Sequence, residues 1–188
     1  MNWCDGKPRC AWANPKNETY IKYHDKEWGR AVYDDQKLFE MLVLESFQAG
    51  LTWECILNKR EAFAKAFDLF ELEKVSAYDP EKEAELLKAP GIVHNKLKIH
   101  AAVNNANIFK EIQTEFGTFS QYLWHWTDGK IIYETGLASS PLSEKISKDL
   151  KKRGMKFVGP VIIYAYLQAV GVIYSHEKGC FLEHQKIV

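Results

Sequence analysis

The segment from Glu45 to Trp53, ESFQAGLTW, places a carboxylate, an amide, a hydroxyl and an indole along a stretch with the pattern of one apolar helix. At roughly 100° per residue, Glu45, Gln48 and Thr52 fall on about one face, and Trp53 lies beside it. If the helix is buried, these groups need partners, because an unpaired buried polar group costs roughly 1–3 kcal/mol. A carboxylate beside an indole can recognise a cationic base. The competing interpretation is a glutamate that only caps a neighbouring helix.

A second cluster of functional side chains lies in YIKYHDKEWG. Tyr20, Tyr23 and His24 are spaced by three and four residues, so two phenols and an imidazole share one helical face. They could form the aromatic wall of a pocket. Equally, they could belong to a packed N-terminal helix with Trp28 in the core.

Two cysteines and two histidines could bind a metal ion. Cys10, His24, His176 and Cys180 form a Cys₂His₂ set that suits tetrahedral zinc, and each pair could hold one end of the chain. His176 and Cys180 are one helical turn apart, although Gly179 indicates a helix end. The spacing of Cys10 and His24 differs from that of an ordinary zinc finger. The alternative is a set of isolated core residues.

A basic helical hairpin is predicted near residue 155. LKKRG ends one helix, MKFVGP forms a short apolar turn, and a second helix begins at about Pro160. Gly154 and Gly159 permit a sharp turn and a close approach, and the amides that begin the second helix favour an anion such as phosphate. The alternative is a solvated amphipathic helix with an ordinary turn. The charges give a local excess of four positives: Lys145, Lys148, Lys151, Lys152, Arg153 and Lys156 against Glu144 and Asp149.

The elements that would position these groups are predicted to be helices. Asp79 before Pro80 suits a helix start, Thr118 with Gln121 fits a capping box, and Gly117 suits a helix end. The fold class is therefore predicted to be all-α with one core. The segment 128–141 could hold an irregular loop or a short β-pair around 130–133. Apolar residues recur at helical spacing at Phe39, Leu42 and Val43, at Phe63, Phe67 and Phe70, and at Phe109, Ile112 and Phe116.

Composition limits the possible partners. The 188 residues carry no net charge, so any nucleic-acid binding must come from a local patch. The N-terminal residues show no secretory signal, and we expect a cytoplasmic protein. The uncharged run 157–175 approaches the length of a membrane span, but Gly159, Pro160 and Gln168 interrupt it. A buried core helix is the favoured interpretation, so no membrane partner is expected.

Five motifs taken together resemble the type I 3-methyladenine DNA glycosylases: CAW at 10–12, YIKYHDKEWG at 20–29, ESFQAGLTW at 45–53, LKKRGMKFVGP at 150–160 and HEKGC at 176–180. The resemblance covers nearly the whole chain, and the motifs occur in the family's order. It implies a fold of the helix-hairpin-helix DNA glycosylase superfamily in a single domain, 1–188, with the hairpin motif at about 143–174.

The resemblance also implies a metal. One structural Zn²⁺ per chain would be held by Cys10, His24, His176 and Cys180, in a lobe formed by residues 1–30 and 174–188. With four protein ligands, such a zinc has no open position for an activated water.

The implied activity is excision of 3-methyladenine from alkylated double-stranded DNA, with the free base as product. By position, Glu45 and Tyr23 match the catalytic residues, and Trp53 and Tyr20 join them in binding the base. Phosphate contacts are expected from Lys152, Arg153, Gly154, Lys156 and Gly159. We expect a monomer. We also expect no lyase activity, because the helix after Pro160 carries no Asp through Ser175 and Lys156 in the turn does not match the nucleophilic hairpin lysine of lyase relatives. The competing class is a zinc-stabilised DNA-binding module without turnover.

The chain departs from the family pattern at two places. Asn17, Glu18 and Thr19 stand where a proline is usual before the first tyrosine, and Phe47 stands beside Gln48 where a polar neighbour is common. Neither place is a matched ligand or pocket position.

Overall fold

The computed structural model describes residues 3–183, which form a mostly helical fold. The α-helices are α1 (Glu18–Lys26), α2 (Asp35–Gln48), α3 (Trp53–Leu57), α4 (Arg60–Ala66), α5 (Leu72–Ser76), α6 (Pro80–Leu86), α7 (Lys96–Phe116), α8 (Phe119–His125), α9 (Pro141–Lys152) and α10 (Pro160–Ala169). A 3₁₀ turn spans Asp68–Phe70, and two short strands are β1 (Ile132–Tyr133) and β2 (Ile173–Tyr174).

Helix α2 forms the centre of the core. Its residues from Met41 to Phe47 are all buried, so it must be covered on every side. It packs against α3, α7, α8 and α10, with edge-to-face ring pairs such as Phe39 on Phe109 and Phe47 on Phe63. Each fully buried side chain of this size contributes about 1.5–3 kcal/mol. Glu45 is held inside this packed helix.

Helix ends follow the predicted signals. The Asp79 side chain accepts from Lys82 N with Pro80 at the first helical position, and Thr118 and Gln121 form a capping box. Gly117 ends α7 at a φ of +89°, a left-handed conformation that glycine adopts without steric cost. These three predictions are confirmed.

The all-α prediction needs one correction, because β1 and β2 form a parallel pair. Ile132 lies opposite Ile173 and Tyr133 opposite Tyr174. The strand predicted around 130–133 therefore exists, but its partner lies some forty residues further along the chain. Periodicity cannot find so short and distant a pair.

The predicted single helix through Glu45–Trp53 is wrong. Helix α2 ends at Gln48, Gly50 has a φ of +79°, and α3 begins only at Trp53. The hydroxyl of Thr52 accepts from Cys55 N at 3.2 Å, so it caps α3 instead of joining the polar face. The break turns the segment back on itself between two helices.

The run 157–175 divides between the hairpin turn, α10 and β2. No helix within residues 3–183 is both long and apolar enough to cross a membrane.

Candidate functional site

A pocket of about 180 Å³ lies between α1, α2, α3 and α10. It is smaller than the ~300–1,000 Å³ usual for drug-sized ligands, so it suits one small planar group. Its lining residues are Trp12, Tyr20, Tyr23, Trp28, Glu45, Gln48, Trp53, Ala165 and Gln168. The structure thus brings together all four predicted base-pocket residues.

Two polar atoms in this pocket lack partners. Glu45 is 3% exposed, and neither its Oε2 nor the indole Nε1 of Trp53 has a hydrogen-bond partner within the described chain. Burial raises the pKa of Glu45 to about 8. Buried groups of this kind are normally satisfied, so an acceptor and a donor left open in one pocket indicate a polar ligand.

The two tyrosines form an aromatic wall beside these atoms. The rings of Tyr23 and Trp53 are 5.3 Å apart, tilted by 48°. Burial, and secondarily the nearby Glu45, raise the pKa of Tyr23 well above 10. Burial, followed by Glu54 and Glu45, raises the pKa of Tyr20 to about 12. Both phenols therefore stay neutral near pH 7 and can donate hydrogen bonds.

Sequence reasoning missed three lining residues. Trp12 and Trp28 pack with their rings 4.8 Å apart, and Trp12 lies 5.3 Å from Tyr20. Gln168 reaches the pocket from α10, where its backbone carbonyl also accepts from Gly29 N. Its signal was available in the sequence, because it is the sole side-chain amide in the uncharged run 157–175.

The four predicted metal ligands form one buried cluster that could hold a metal ion. Their ligand atoms all lie within 4.8 Å of one another. Cys10 Sγ is 3.5 Å from His176 Nδ1, and Cys180 Sγ is 3.5 Å from His24 Nε2. His176 and Cys180 lie in a non-helical turn, not on the helical turn that their spacing suggested.

The surroundings of the cluster suit a cation. The other ring nitrogen of His24 lies 2.8 Å from Asp25, which Arg9 also binds, and backbone N–H groups of Glu177 and Leu182 donate to the cysteine sulfurs. Burial, among other causes, raises the pKa of the Cys10 thiol, and burial and His24 lower the pKa of His176 to about 4. Both histidines are therefore neutral near pH 7, the form in which an imidazole can bind a metal ion.

The Cys/His cluster lies directly behind the pocket wall. The Trp12 ring is 5.2 Å from that of His24, and the Trp28 ring is 4.7 Å from that of His176. Both indoles also line the pocket. The shape of the pocket therefore depends on the packing of the cluster.

Helices α9 and α10 form the predicted hairpin, joined by residues 153–159. Gly154 requires glycine, with a φ of +103°. Gly159 has an ordinary φ of −64°, but a Cβ there would meet no atom within 4 Å among the described residues. The open space at Gly159 leaves room for another molecule's backbone. Lys152 and Lys156 are exposed beside it.

Arg153 is placed differently from its prediction as a phosphate contact. Its guanidinium pairs with Asp149 at 2.7 Å and with Glu115 at 2.6 Å, over the rings of Phe116 and Tyr122. These partners hold the end of α9 against α7 and α8. The Arg153 guanidinium is held by two carboxylates in the free protein, and its contact with phosphate stays a prediction.

A mostly helical chain with a base-sized acidic and aromatic pocket, backed by a metal-ligand cluster and flanked by a basic hairpin, has the features of a base-binding nucleic-acid protein. The family model for methyladenine glycosylase matches residues 12–183. The chain belongs to this family, as its motifs predicted.

Named relatives are similar to this chain over nearly its full length and theirs. DNA-3-methyladenine glycosylase 1 of Escherichia coli is 38% identical over 92% of this chain and 95% of its own. DNA-3-methyladenine glycosylase of Haemophilus influenzae is 35% identical over 92% of this chain and 96% of its own. A solved structure of 3-methyladenine DNA glycosylase I from Staphylococcus aureus, which describes the structural basis of 3-methyladenine recognition, superposes with a TM-score of 0.90. It is 37% identical in sequence, and the match covers 94% of this chain and 97% of its own.

Proposed function

We propose that this protein is a DNA-3-methyladenine glycosylase that removes the methylated base from alkylated double-stranded DNA. The observation that supports this most is the pair of unpartnered atoms, Glu45 Oε2 and Trp53 Nε1, in a pocket sized for one base. The relatives' names give the same activity.

The chemistry needs little from the protein. Methylation at N3 makes the purine cationic, so the pair of electrons of the glycosidic bond moves into the ring and leaves a neutral base. A water oxygen bonds to C1′, and its proton goes to solvent. The enzyme must chiefly extract and orient the nucleotide, and a poorly stacked lesion costs less to extrude than a normal base.

Glu45 favours the cationic base over neutral adenine. At about pH 7, ionising a carboxyl with a pKa of about 8 costs about 1.4 kcal/mol. A carboxylate about 4 Å from a cation gains about 4 kcal/mol at an effective dielectric of about 20. The attraction exceeds the cost, so the cationic base draws the proton off Glu45, whereas adenine cannot.

Aromatic residues supply the remaining recognition. In this proposal Trp53 stacks on the purine, Tyr23 contacts the base edge, and Tyr20 closes the wall. Trp12 and Gln168 lie on the pocket lining with them. Because α10 carries no Asp and the hairpin lysine, Lys156, is assigned to phosphate, we propose a monofunctional glycosylase.

The hairpin holds the phosphate backbone through amides and exposed lysines. Replacing Gly159 by Leu should raise the Kd for an abasic-site duplex about tenfold, because the side chain enters the space that the phosphate needs. Gly159→Ala should have a smaller effect, since the backbone φ is ordinary. Binding of free 3-methyladenine, measured by tryptophan fluorescence, should stay unchanged; equal loss of both ligands would contradict the assignment.

Leu51 is proposed as the residue that fills the gap left by the extruded base. It is 41% exposed at the turn between Gln48 and Trp53, which both line the pocket. Leu51→Ala should lower kcat/KM on methylated duplex about tenfold, because the unstacked step then has no apolar filler. Free-base binding should be retained. Leu137→Ala, at another exposed leucine, is the control, and an equal loss there would contradict the role.

We propose one structural zinc per chain at Cys10, His24, His176 and Cys180. Zinc bonds of about 2.3 Å to sulfur and about 2.0–2.1 Å to nitrogen place tetrahedral S and N ligands about 3.5 Å apart. The observed separations of 3.5 and 3.6 Å fit that geometry. A bound zinc would tie residues before α1 to those after β2; residues 1–2 and 184–188 of the predicted lobe lie outside the described chain.

The competing function is a DNA-binding module without turnover. Purified, metal-loaded protein should release free 3-methyladenine from methylated duplex DNA, detected chromatographically. Lesion binding without release would favour the module instead. That the protein works as a cytoplasmic monomer in a single domain stays a prediction.

A further inference from the structure

Lys98 is a buried lysine whose ammonium binds the end of the pocket helix. It lies on α7 and is only 7% exposed. Its Nζ donates to the carbonyl of Phe47 at 2.7 Å and to that of Ala49 at 2.6 Å. Ala49 is the C-cap of α2, so Lys98 bonds to the negative end of the helix that carries Glu45 and Gln48.

This contact is unusual because the cation has no acidic partner within the described residues. Burial lowers the pKa of Lys98. A buried ammonium is costly unless it is well bonded. Here its partners are two carbonyl groups at the end of α2; the bond to Phe47 is buried and the bond to Ala49 is partly buried.

The turn that Lys98 holds connects two walls of the pocket. From Ala49 the chain passes through Gly50 and Leu51 and enters α3 at Trp53. Gly50 has a positive φ, and a Cβ on it would meet no described atom within 4 Å, so packing around Gly50 restrains the turn little. One bond from Lys98 holds Ala49, the first residue of this turn, and the other holds Phe47 in the last turn of α2.

We propose that Lys98 is a positioning residue that sets the spacing of Gln48 and Trp53 across the base pocket. The proposal rests on the proposed function of that pocket. Lys98 is not among the residues that line the pocket. It acts through the α2 carbonyls, and its loss lets the turn relax and widens the gap that the base must fill.

A neighbouring residue on α7 anchors the hairpin instead and supplies a matched comparison. Asn105 Nδ2 donates to the carbonyl of Lys156 at 2.9 Å, and its Oδ1 accepts from Lys156 N at 2.9 Å. The hydrogen bonds of Lys98 go to the end of α2, whereas those of Asn105 go to the hairpin turn. The effects of the two residues can therefore be compared by hydrogen-bond partner.

The experiment measures the binding of two ligands to three variants. Free 3-methyladenine reports on the pocket, and a duplex with an abasic-site analogue reports on the hairpin. Lys98→Met should raise the Kd for the free base at least fivefold and lower kcat, with the duplex Kd changed less than twofold. Asn105→Ala should show the opposite pattern. Lys110→Met, which removes a more exposed lysine from the same helix, should change neither.

Unchanged free-base binding in Lys98→Met would overturn the proposal, as would equal loss of both ligands. Lys98→Gln, which keeps one amide donor, replaces Met if that variant does not fold. Failure of both to fold would assign Lys98 to stability instead. If the wild type neither binds the free base nor releases it from DNA, the proposed function fails, and not merely the role of Lys98.

Discussion

Glu45→Gln should lower kcat/KM for 3-methyladenine release about 100-fold at pH 7. The estimate combines an attraction of about 4 kcal/mol between carboxylate and cationic base with a cost of about 1.4 kcal/mol for ionising Glu45. Gln keeps the shape and can still accept a hydrogen bond, so the loss isolates the charge. Circular dichroism should show an unchanged helical fold.

The pH profile makes this prediction specific. The parameter kcat/KM reports the free enzyme, in which burial raises the pKa of Glu45 to about 8. Wild-type kcat/KM should therefore rise about tenfold per pH unit up to about pH 8 and then level, while Glu45→Gln stays flat. The ratio of wild-type kcat/KM to that of Glu45→Gln should grow from about tenfold at pH 6 to about 1,000-fold above pH 8.

The same substitution should stabilise the ligand-free protein at high pH. The pKa of Glu45 is higher in the folded state, about 8, than its usual 4.5. Its contribution to stability is thus complete below pH 4.5 and is lost as pH rises through about 8. Glu45→Gln should therefore gain on the order of 4 kcal/mol in unfolding free energy at pH 9 and almost nothing at pH 4.

The control is Glu134→Gln, since Glu134 also has an unpartnered buried oxygen in the described chain but does not line the pocket. It should change neither the pH profile nor turnover. A wild-type profile that is flat from pH 6 to 9, or a Gln variant with full activity, would show that the charge of Glu45 is not used. The base would then be held by aromatic contacts alone.

The sequence predicted local features better than the breaks between them. Caps such as Thr118 with Gln121 depend on neighbouring residues, so a pattern can find them. The end of α2 could not be found in this way, because apolar residues continue beyond Gly50 and mimic one helix. That break is what exposes Leu51, so a candidate for the inserting residue was hidden by the error.

Site residues that lie far apart in the chain could not be grouped into one site from their spacing alone. Cys10 and His176 meet only because both ends of the chain fold onto one another, and the family motifs, not the ligand spacing, predicted that meeting. For Arg153 the basic run predicted a phosphate contact, but no local pattern could show that two carboxylates, one from the distant α7, also hold its guanidinium.

Removal of the metal should have the second large effect, on both stability and base binding. Zinc contributes roughly 10–16 kcal/mol to isolated zinc-finger peptides. This chain has a helical core of its own around α2, so only a part of that energy should be lost. A third, about 4 kcal/mol, corresponds to a fall in Tm of about 8–16 °C for a protein of this size.

Cys180→Ala tests this without a chelator. Metal analysis should give about one zinc per wild-type chain and much less in the variant, and Tm should fall as estimated. Cys4→Ala is the matched control, because Cys4 is an exposed cysteine outside the cluster. It should retain zinc and Tm. Unchelated wild-type protein without zinc would refute the site.

Base binding distinguishes a metal that shapes the pocket from one that only ties the chain ends. Trp12 and Trp28 each contact a ligand histidine and also line the pocket, so loss of the metal should let both indoles move. At 25 °C, with the helical core still folded, the Kd for free 3-methyladenine should rise about tenfold, which is about 1.4 kcal/mol. A Tm loss with unchanged base affinity would mean that the pocket wall is held by the core helices, independently of the cluster behind it.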